Sequence, residues 1–240
     1  MKIKDSVALV TGANRGIGRA LVRALVEGGA RRVYAGVRGG PQLAAMKDAG
    51  DAVIPLVLDV TDQGQIERAA AQAADVTLLI NNAGALSSFS LLQSDLTAVT
   101  RDLATNFVGP LAVTRAFVPA LERAGGGAIV NLLSIVSLAS MPALGGYSAT
   151  KAAAFSLTQA LRAELRPKNI TVHGVFPGPV DTDMLRGFDM AKTSPQAVAA
   201  AALAGLERGD EDIFPDPMSI HAAGRWQRDP KDLEREFARM

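Results

Sequence analysis

Residues 7–18 read VALVTGANRGIG and decide the fold of this chain. Four apolar residues lead into a turn with glycines at 12, 16 and 18, and a helical pattern follows over 17–27. Such a strand, glycine-rich turn and helix open many nucleotide-binding α/β sheets, because the turn brings backbone close to phosphate and the helix N-terminus presents free N–H groups. The sequence therefore predicts a pyrophosphate cradle made of Gly12, Asn14, Arg15, Gly16, Ile17 and Gly18.

The rest of the chain repeats this alternation of strand and helix. Short apolar runs are typical of strands buried on both faces, and they stand at 7–10, 32–37, 53–58, 76–80, 128–133 and 171–176. Helical patterns lie between them, as at 63–74. We expect a Rossmann-type, doubly wound parallel α/β sheet of about seven strands with helices on both faces.

Domain boundaries are absent from the sequence pattern, since no linker or charge block divides residues 1–240. We therefore predict a single domain. Two regions depart from the alternation. Residues 181–195 are irregular and contain Met and Phe in a polar setting, which favours a mobile substrate flap, and the tail at 209–240 is charge-rich, with a helix expected from Asp232.

Composition excludes several classes of function. The formal net charge is +1, from 25 basic and 24 acidic residues, which offers no basic surface for nucleic acid or an acidic membrane. The absence of cysteine excludes disulfides and thiolate catalysis, and the two histidines, His173 and His221, are too few for a His-rich metal site. We expect no metal.

One uncharged stretch, 124–150, is long enough to span a bilayer. Glycines, serines, Asn131 and Pro142 interrupt it, which favours a buried strand followed by a loop. The N-terminal residues lack the apolar stretch and the cleavage site of a signal peptide. We expect a soluble, cytoplasmic protein without a membrane partner.

The end of the second predicted strand distinguishes between NAD and NADP. An NAD site usually offers a carboxylate there to the ribose hydroxyls, whereas this sequence reads Gly36-Val37-Arg38. Arg38 can form bidentate hydrogen bonds with a 2′-phosphate, and Arg15 can approach the same phosphate from the glycine turn. Either arginine alone could be an ordinary surface residue, but the pair and the missing acid favour NADP(H).

Tyr147 and Lys151 stand four residues apart in a helical pattern over 147–165, which places them on one face. A tyrosine that acts near neutral pH needs its pKa lowered by about three units, or roughly 4 kcal/mol. A nearby ammonium favours the phenolate, and an oxidised nicotinamide adds a second positive charge. A pair at this spacing is usually a helix surface pair, so the residues around it decide between the two interpretations.

Two further polar residues support a reactive site. Ser134 follows the fifth predicted strand, at the edge where such sheets bind ligands, and its hydroxyl could hydrogen-bond a substrate oxygen. Asn106 stands four residues before Pro110, which has no N–H to donate to the carbonyl of residue 106. That carbonyl would be free for a water or a lysine, although an ordinary proline kink is the alternative.

The chain resembles the short-chain dehydrogenase/reductase family over about residues 5–182. The motifs that carry the resemblance occur in the family's order: TGANRGIG at 11–18, Asp59-Val60, Asn81-Asn82-Ala83-Gly84, Asn106, Ser134, YSATK at 147–151 and Pro177-Gly178. Each motif is weak by itself, but several of them in this order are jointly specific.

This resemblance implies a role for each matching residue. Tyr147 would be the general acid for reduction and the base for oxidation, Lys151 would bind the nicotinamide ribose, and Ser134 would polarise the substrate oxygen. Asn106 would hold a water that links Lys151 to solvent. Further cofactor contacts would come from Asp59 and Val60 at the adenine, from Asn81, Ala83 and Gly84 along the centre, and from Pro177, Gly178, Val180 and Thr182 around the nicotinamide.

The activity so implied is NADPH-dependent reduction of a small apolar ketone or aldehyde, reversible as alcohol oxidation. The alternatives are a 3-oxoacyl or hydroxysteroid-type reductase, or a protein that senses NADP(H) without catalysis. Residues 209–217 lack the Asp-Gly-Gly turn of many family members, which counts against a tetramer and a 3-oxoacyl reductase. A homodimer through the 147–165 helix remains plausible. Possible pocket residues are Ser87, Phe89, Ile135, Met141, Leu144, Phe176, Met184, Leu185, Phe188 and Met190.

Overall fold

Seven parallel strands form one sheet in the computed structural model, which describes residues 1–47 and 50–240. The strands are β1 (Val7–Thr11), β2 (Arg32–Val37), β3 (Val53–Val57), β4 (Leu78–Asn81), β5 (Gly127–Leu132), β6 (Ile170–Val175) and β7 (Asp212–Ile213). Their order across the sheet is β3-β2-β1-β4-β5-β6-β7. The six predicted strands are confirmed to within two residues at each end, and the short β7 adds a seventh.

Helices cover both faces of this sheet. They are α1 (Gly16–Glu27), α2 (Pro41–Lys47), α3 (Gln63–Gln72), α4 (Leu96–Leu103), α5 (Gly109–Arg123), α6 (Gly145–Leu165), α7 (Pro195–Arg208), α8 (Pro217–Arg228) and α9 (Pro230–Phe237). On one face α1 and α7 bury residues such as Leu21 and Leu206, and on the other α3, α5 and α6 bury residues such as Ile66 and Phe117. The doubly wound α/β architecture is therefore confirmed.

The central strands are apolar along most of their length because helices pack on both of their faces. Every residue of β1 is buried, and its pairing with β2 on one side and β4 on the other leaves no edge exposed. Chain order reverses at β1, since β2 and β3 lie to one side of it and β4 to β7 lie to the other. In sheets of this kind, ligands bind at the carboxyl ends of the strands where the chain order reverses, so this edge is the place to look for a site.

Residues 104–108 connect α4 to α5 through a π-helical turn, which is wider than an α-helical turn. Residues Ala104–Val108 form a π-helical turn, in which the N–H of Gly109 donates to the carbonyl of Ala104. Such a turn inserts one residue into the helix and is frequent at functional sites. The extra residue changes the helical hydrogen-bond register at Asn106. The helix is therefore distorted before Pro110, as the sequence indicates, but the distortion is a π turn rather than a simple proline kink.

The chain after residue 209 is more helical than its sequence predicts. α9 begins at Pro230 with Asp229 as its cap, two residues before the expected Asp232, and α8 precedes it. The uncharged stretch 124–150 holds β5, loops and the start of α6, as predicted. Across residues 1–47 and 50–240, no helix combines the length and apolar character needed to cross a membrane.

Candidate active site

The glycine turn after β1 has the backbone geometry of a phosphate cradle. Gly12 and Gly16 have φ angles of 65° and 53°, a left-handed region that L side chains rarely adopt. A Cβ on Gly18 would lie 2.2 Å from the carbonyl oxygen of Gly12, so only glycine permits this packing of α1 on the turn. α1 has no side-chain cap at Arg15, which leaves its first N–H groups free for an anion.

Asn82 holds this turn against the end of β4. Its Nδ2 donates to the carbonyls of Thr11 at 2.8 Å and Gly12 at 3.2 Å. The Thr11 hydroxyl accepts the backbone N–H groups of Asn82 and Ala83, each at 3.0 Å. Asn82 belongs to the motif at 81–84 that the family resemblance places along the cofactor, but only the adjacency of β1 and β4 shows that its amide holds the glycine turn.

The side chain of Asn81 departs from its predicted place along the cofactor. It is 3% exposed and donates to Thr114 at 3.2 Å and to Asn131 at 2.9 Å, beneath the crevice rather than in it. Val60 is also buried, and a Cβ on Gly109 would lie 2.8 Å from it. Asp59 is half-buried and accepts from the N–H and hydroxyl of Thr61. Of these three, Asp59 has the side chain nearest to solvent.

The two arginines that favour NADP(H) have different surroundings. Arg38 is exposed just after β2, where no acid stands. Arg15 is also exposed, and its guanidinium forms an ion pair of 3.2 Å with Asp183 in the predicted flap. Thr182 lies beside the glycine turn, since a Cβ on Gly16 would be 3.1 Å from its methyl group. The structure thus brings the flap, residues 181–195, next to the phosphate cradle.

Tyr147 and Lys151 lie one turn apart at the start of α6, as predicted. The Lys151 Nζ is 5.7 Å from the centroid of the Tyr147 ring and donates to the Leu132 carbonyl at 2.7 Å. Lys151 is 5% exposed and Tyr147 is half-buried. Gly84 belongs to the same group, because a Cβ there would lie 3.9 Å from Nζ. The pair is therefore a site at the end of β5 and not a helix surface pair.

The pKa values of the pair differ from what their spacing predicts. Burial, and then the negative charge of Asp102, raise the pKa of Tyr147 above its ordinary value. Burial lowers the pKa of Lys151 to about 8. The chain's own residues thus favour a protonated phenol and a weakened ammonium, so the predicted depression of the tyrosine pKa does not arise from Lys151 alone.

Asn106 is buried and its side chain braces the loop after β4. Its Oδ1 accepts from the N–H of Ala85 and its Nδ2 donates to the carbonyl of Ala85, both at 2.8 Å. Nδ2 also donates to Thr150 at 2.9 Å, and Thr150 in turn donates to the carbonyl of Tyr147. Asn106 therefore connects the loop to α6, while its predicted water relay stays a prediction.

Ser134 lies just after β5 and caps a short 3-10 helix, Ile135–Ser137. Its hydroxyl donates weakly to the carbonyl of Pro177 at 3.4 Å, which leaves it easily redirected. Gly178, the next residue, donates its N–H to the buried carboxylate of Asp216 at 2.8 Å. The C-terminal tail thus holds the Pro177–Gly178 turn through Asp216, a residue that no motif in the sequence marks.

The predicted pocket residues divide into two groups. Phe176 is fully buried against Phe155 and Phe214, so it belongs to the core. Ser87 donates to Asp102 instead of facing a pocket. The flap and the loop after β4 contribute an exposed apolar group instead, in which Phe89 and Phe188 stack at 6.4 Å. The exposed members are Phe89, Met184, Phe188 and Met190. Val180 is buried and bridges to Thr193 at the base of the flap.

A doubly wound sheet with a glycine cradle after β1 and a Tyr-Lys pair after β5 defines a class of dinucleotide-dependent oxidoreductases. The family model described as short chain dehydrogenase matches residues 6–192. This chain belongs to the short-chain dehydrogenase family.

Relatives and solved structures agree with that membership. The chain is 37% identical over 187 residues to the 3-alpha-(or 20-beta)-hydroxysteroid dehydrogenase of Mycobacterium tuberculosis H37Rv, covering 76% of this chain and 72% of that protein. It is 34% identical to the sorbitol dehydrogenase of Cereibacter sphaeroides, covering 79% and 76%. A short chain dehydrogenase from Burkholderia cenocepacia, solved in complex with NADP, superposes with a TM-score of 0.93 at 41% identity over 99% of both chains.

Proposed function

We propose that this protein is an NADPH-dependent reductase of apolar ketones and aldehydes that also oxidises the corresponding alcohols. The observation that carries the proposal is the pairing of the half-buried Tyr147 with the buried Lys151 at the carboxyl end of β5, in a chain with a glycine cradle after β1. This arrangement provides an acid, a cation and an anion-binding helix end in one crevice.

The crevice residues fit a dinucleotide. The positive φ of Gly12 and Gly16 and the uncapped start of α1 suit a pyrophosphate. In this proposal the rest of the cofactor would contact Ala83, Gly84, Pro177, Gly178 and Thr182. Arg38 stands where an acid would select NAD, which supports NADP(H), and the Burkholderia cenocepacia relative binds NADP. When bound, NADPH supplies the hydride.

The chain's own residues supply the proton and the orientation of the substrate. Burial raises the pKa of Tyr147, so its hydroxyl carries a proton at neutral pH, and transfer of that proton to a carbonyl needs a cation beside the phenol to offset the effect of burial. Ser134 orients the carbonyl oxygen, since its hydroxyl makes two long contacts that a substrate can replace, donating to the Pro177 carbonyl and accepting from the Val136 N–H, each at 3.4 Å. Lys151 places a cation beside the phenol, which stabilises the phenolate left after proton transfer.

The exposed apolar side chains of the flap and of the loop after β4 favour an apolar substrate. Phe89 lies in the loop between β4 and α4, and its stack with Phe188 joins that loop to the flap. A polyol such as sorbitol would leave its hydroxyls unpaired against these rings, whereas a steroid or aryl ketone would bury them. The hydroxysteroid dehydrogenase relative makes a hydroxysteroid or ketosteroid the second candidate substrate.

Turnover by the Tyr147→Phe variant tests the reaction. The variant lacks the transferable proton but keeps the ring that packs near Ile135 and Met218. We expect kcat for ketone reduction to fall by about 100-fold or more, while the Kd for NADPH stays within about twofold. The test uses a panel of aryl ketones, diketones and ketosteroids. If the wild type reduces none of them yet binds NADPH tightly, the protein is a sensor and the proposal is wrong.

Paired titrations by nicotinamide fluorescence test the cofactor. We expect NADPH to bind the wild type at least about tenfold more tightly than NADH, or about 1.4 kcal/mol. Arg38→Ala should remove most of that preference because it deletes the cation after β2, and it should leave NADH binding unchanged. Arg31→Ala is the matched control, since Arg31 is exposed at the other end of β2. Equal binding of the two cofactors by the wild type would refute the NADP(H) assignment.

A further inference from the structure

Asp102 is a buried carboxylate to which the proposed reaction assigns no role. It is 0% exposed, whereas the other residues of α4 are exposed or half-buried. Burying a charge costs free energy unless hydrogen bonds compensate for the lost water. An apolar residue at this position would pack without that cost, so the carboxylate calls for an explanation beyond packing.

Two adjacent serines in the loop after β4 compensate this charge. The N–H groups of Ser87 and Ser88 donate to Oδ2 of Asp102 at 2.9 and 2.8 Å. Their hydroxyls also donate, Ser87 to Oδ1 and Ser88 to Oδ2 at 2.7 Å. Burial opposes ionisation of Asp102, but these bonds outweigh it and lower its pKa below the ordinary value. The carboxylate is therefore charged at neutral pH and holds both residues in one turn.

That turn in turn holds the start of α6. The carbonyl of Ser88 accepts the N–H of Tyr147 at 3.2 Å, and the carbonyl of Phe89 accepts the N–H of Gly146 at 3.1 Å. α6 has no side-chain cap, so these carbonyls take the place of one. The fit is close, because a Cβ on Gly146 would lie 2.5 Å from the Ser88 hydroxyl.

The carboxylate also acts on Tyr147 through its charge. Among the described residues, two charged groups face Tyr147: Asp102 of α4 raises its pKa, and the Lys151 Nζ of α6 lies 5.7 Å from the centroid of its ring. Its packing partners from the 3-10 helix and α8 are apolar, as Ile135 and Met218 are. A negative charge favours the protonated phenol and a positive charge favours the phenolate, so the charges of Asp102 and Lys151 act on Tyr147 in opposite directions.

We propose that Asp102 is a positioning residue for Tyr147: its buried carboxylate clamps the Ser87–Ser88 turn onto the first turn of α6 and so holds the reacting hydroxyl in place. The inference rests on the proposed function, because it takes the Tyr147 hydroxyl as the acid of the reaction. It adds to that function a residue that contacts neither substrate nor cofactor.

The experiment reads Tyr147 directly, because the chain has only two tyrosines. In a Tyr34→Phe background, phenolate absorbance during an alkaline titration reports Tyr147 alone and needs no turnover. Asp102→Asn is the test variant, since it removes the charge and supplies an amide that accepts only part of the four donors. Asp95→Asn is the matched control, because Asp95 is an exposed carboxylate that caps the same helix through Thr97.

For Asp102→Asn we expect the phenolate midpoint to fall by about half a pH unit or more. We also expect kcat for reduction of phenylpropanedione, or of another ketone that the wild type reduces, to fall by about tenfold or more. The alkaline limb of that kcat should move to lower pH, while the Kd for NADPH stays unchanged. Asp95→Asn should lower only the melting temperature. An Asp102→Asn protein that merely melts earlier, with wild-type midpoint and kcat, overturns the inference.

A second variant separates the effect of the hydrogen-bonded turn from the effect of the Asp102 charge. It also provides the test if Asp102→Asn does not fold. Ser88→Ala deletes one of the four donors and keeps the carboxylate. We expect a fall in kcat of about threefold or more with an unchanged phenolate midpoint; an unchanged kcat would overturn the positioning role. A wild type without any ketone reductase activity refutes the proposed function instead, and the titration still measures the effect of Asp102 on Tyr147.

Discussion

At the scale of single residues, the site keeps groups whose charges are costly to bury. Lys151 is 5% exposed, and burial lowers its pKa to about 8 from an ordinary value of 10.5. At neutral pH the lysine is charged in both the folded and the unfolded chain, so the folded protein carries the full cost of burying that charge. The hydrogen bond to the Leu132 carbonyl compensates it only in part.

This cost predicts that Lys151→Met is more stable than the wild type at pH 7, by about 1–3 kcal/mol in urea unfolding, although it is inactive. Because the folded pKa is lowered, the unfavourable contribution is complete below pH of about 8 and disappears as pH rises toward 10.5. The difference between the two proteins should therefore narrow at pH 10. Lys2→Met, at an exposed position, is the control. A Lys151→Met protein that is less stable at pH 7 would contradict this account.

At the scale of elements, the turn from β1 into α1 depends on close packing between backbone atoms. The turn, α1 and the Asn82 amide meet at Gly18, where a Cβ would lie 2.2 Å from the Gly12 carbonyl oxygen and 2.5 Å from Nδ2 of Asn82. Both neighbours are held in place by hydrogen bonds, since Nδ2 itself donates to Thr11 and Gly12. A methyl group at position 18 therefore cannot be accommodated unless the glycine turn moves.

We expect Gly18→Ala to destabilise the protein by about 1–3 kcal/mol and to weaken NADPH binding by about tenfold, because the cradle must open. The matched control is Gly224→Ala in α8, where nothing lies within 4 Å of an added Cβ. That change should be neutral or stabilise the helix by up to about 1 kcal/mol. Urea unfolding and fluorescence titration measure both effects. Equal behaviour of the two variants would show that the turn is not closely packed.

At the scale of the whole molecule, the C-terminal tail forms part of the wall of the site. Leu233 and Phe237 of α9 are buried in a cluster with Ile135 and Val136, the two residues after Ser134, and Tyr147 packs against that cluster. Asp216 reaches from the start of α8 to Gly178. The tail that departs from the family's usual ending thus supports both sides of the crevice. A homodimer through α6 stays a prediction.

Phe237→Ala should destabilise the protein by about 3 kcal/mol or more, because it empties a site that is 1% exposed. It should also lower kcat, because the cluster that supports Tyr147 loosens. The matched control is Ile220→Ala on the outer side of α8, where the side chain is 61% exposed and little change is expected. Urea unfolding and ketone turnover are the measurements. A Phe237→Ala protein with wild-type stability would mean that the tail is not part of the core.

The sequence alone predicts the features that depend on residues close together in the chain. The glycine turn, the six longer strands and the Tyr147–Lys151 spacing each follow from residues within one turn or one strand, so local rules predict them. The shorter β7 and the helix α8 escaped prediction because their signals are brief or interrupted by polar residues.

Only the tertiary structure decided which polar groups meet across the chain. Asn82 contacts Thr11 from 71 residues away, Asp216 contacts Gly178 from 38, and Asp102 contacts Ser88 from 14. In the sequence Asp102 looks like an ordinary surface charge of a helix, since no periodicity distinguishes a solvated carboxylate from one that two serines enclose. The same holds for the raised pKa of Tyr147, because burial and the field of Asp102 exist only when the elements have packed together.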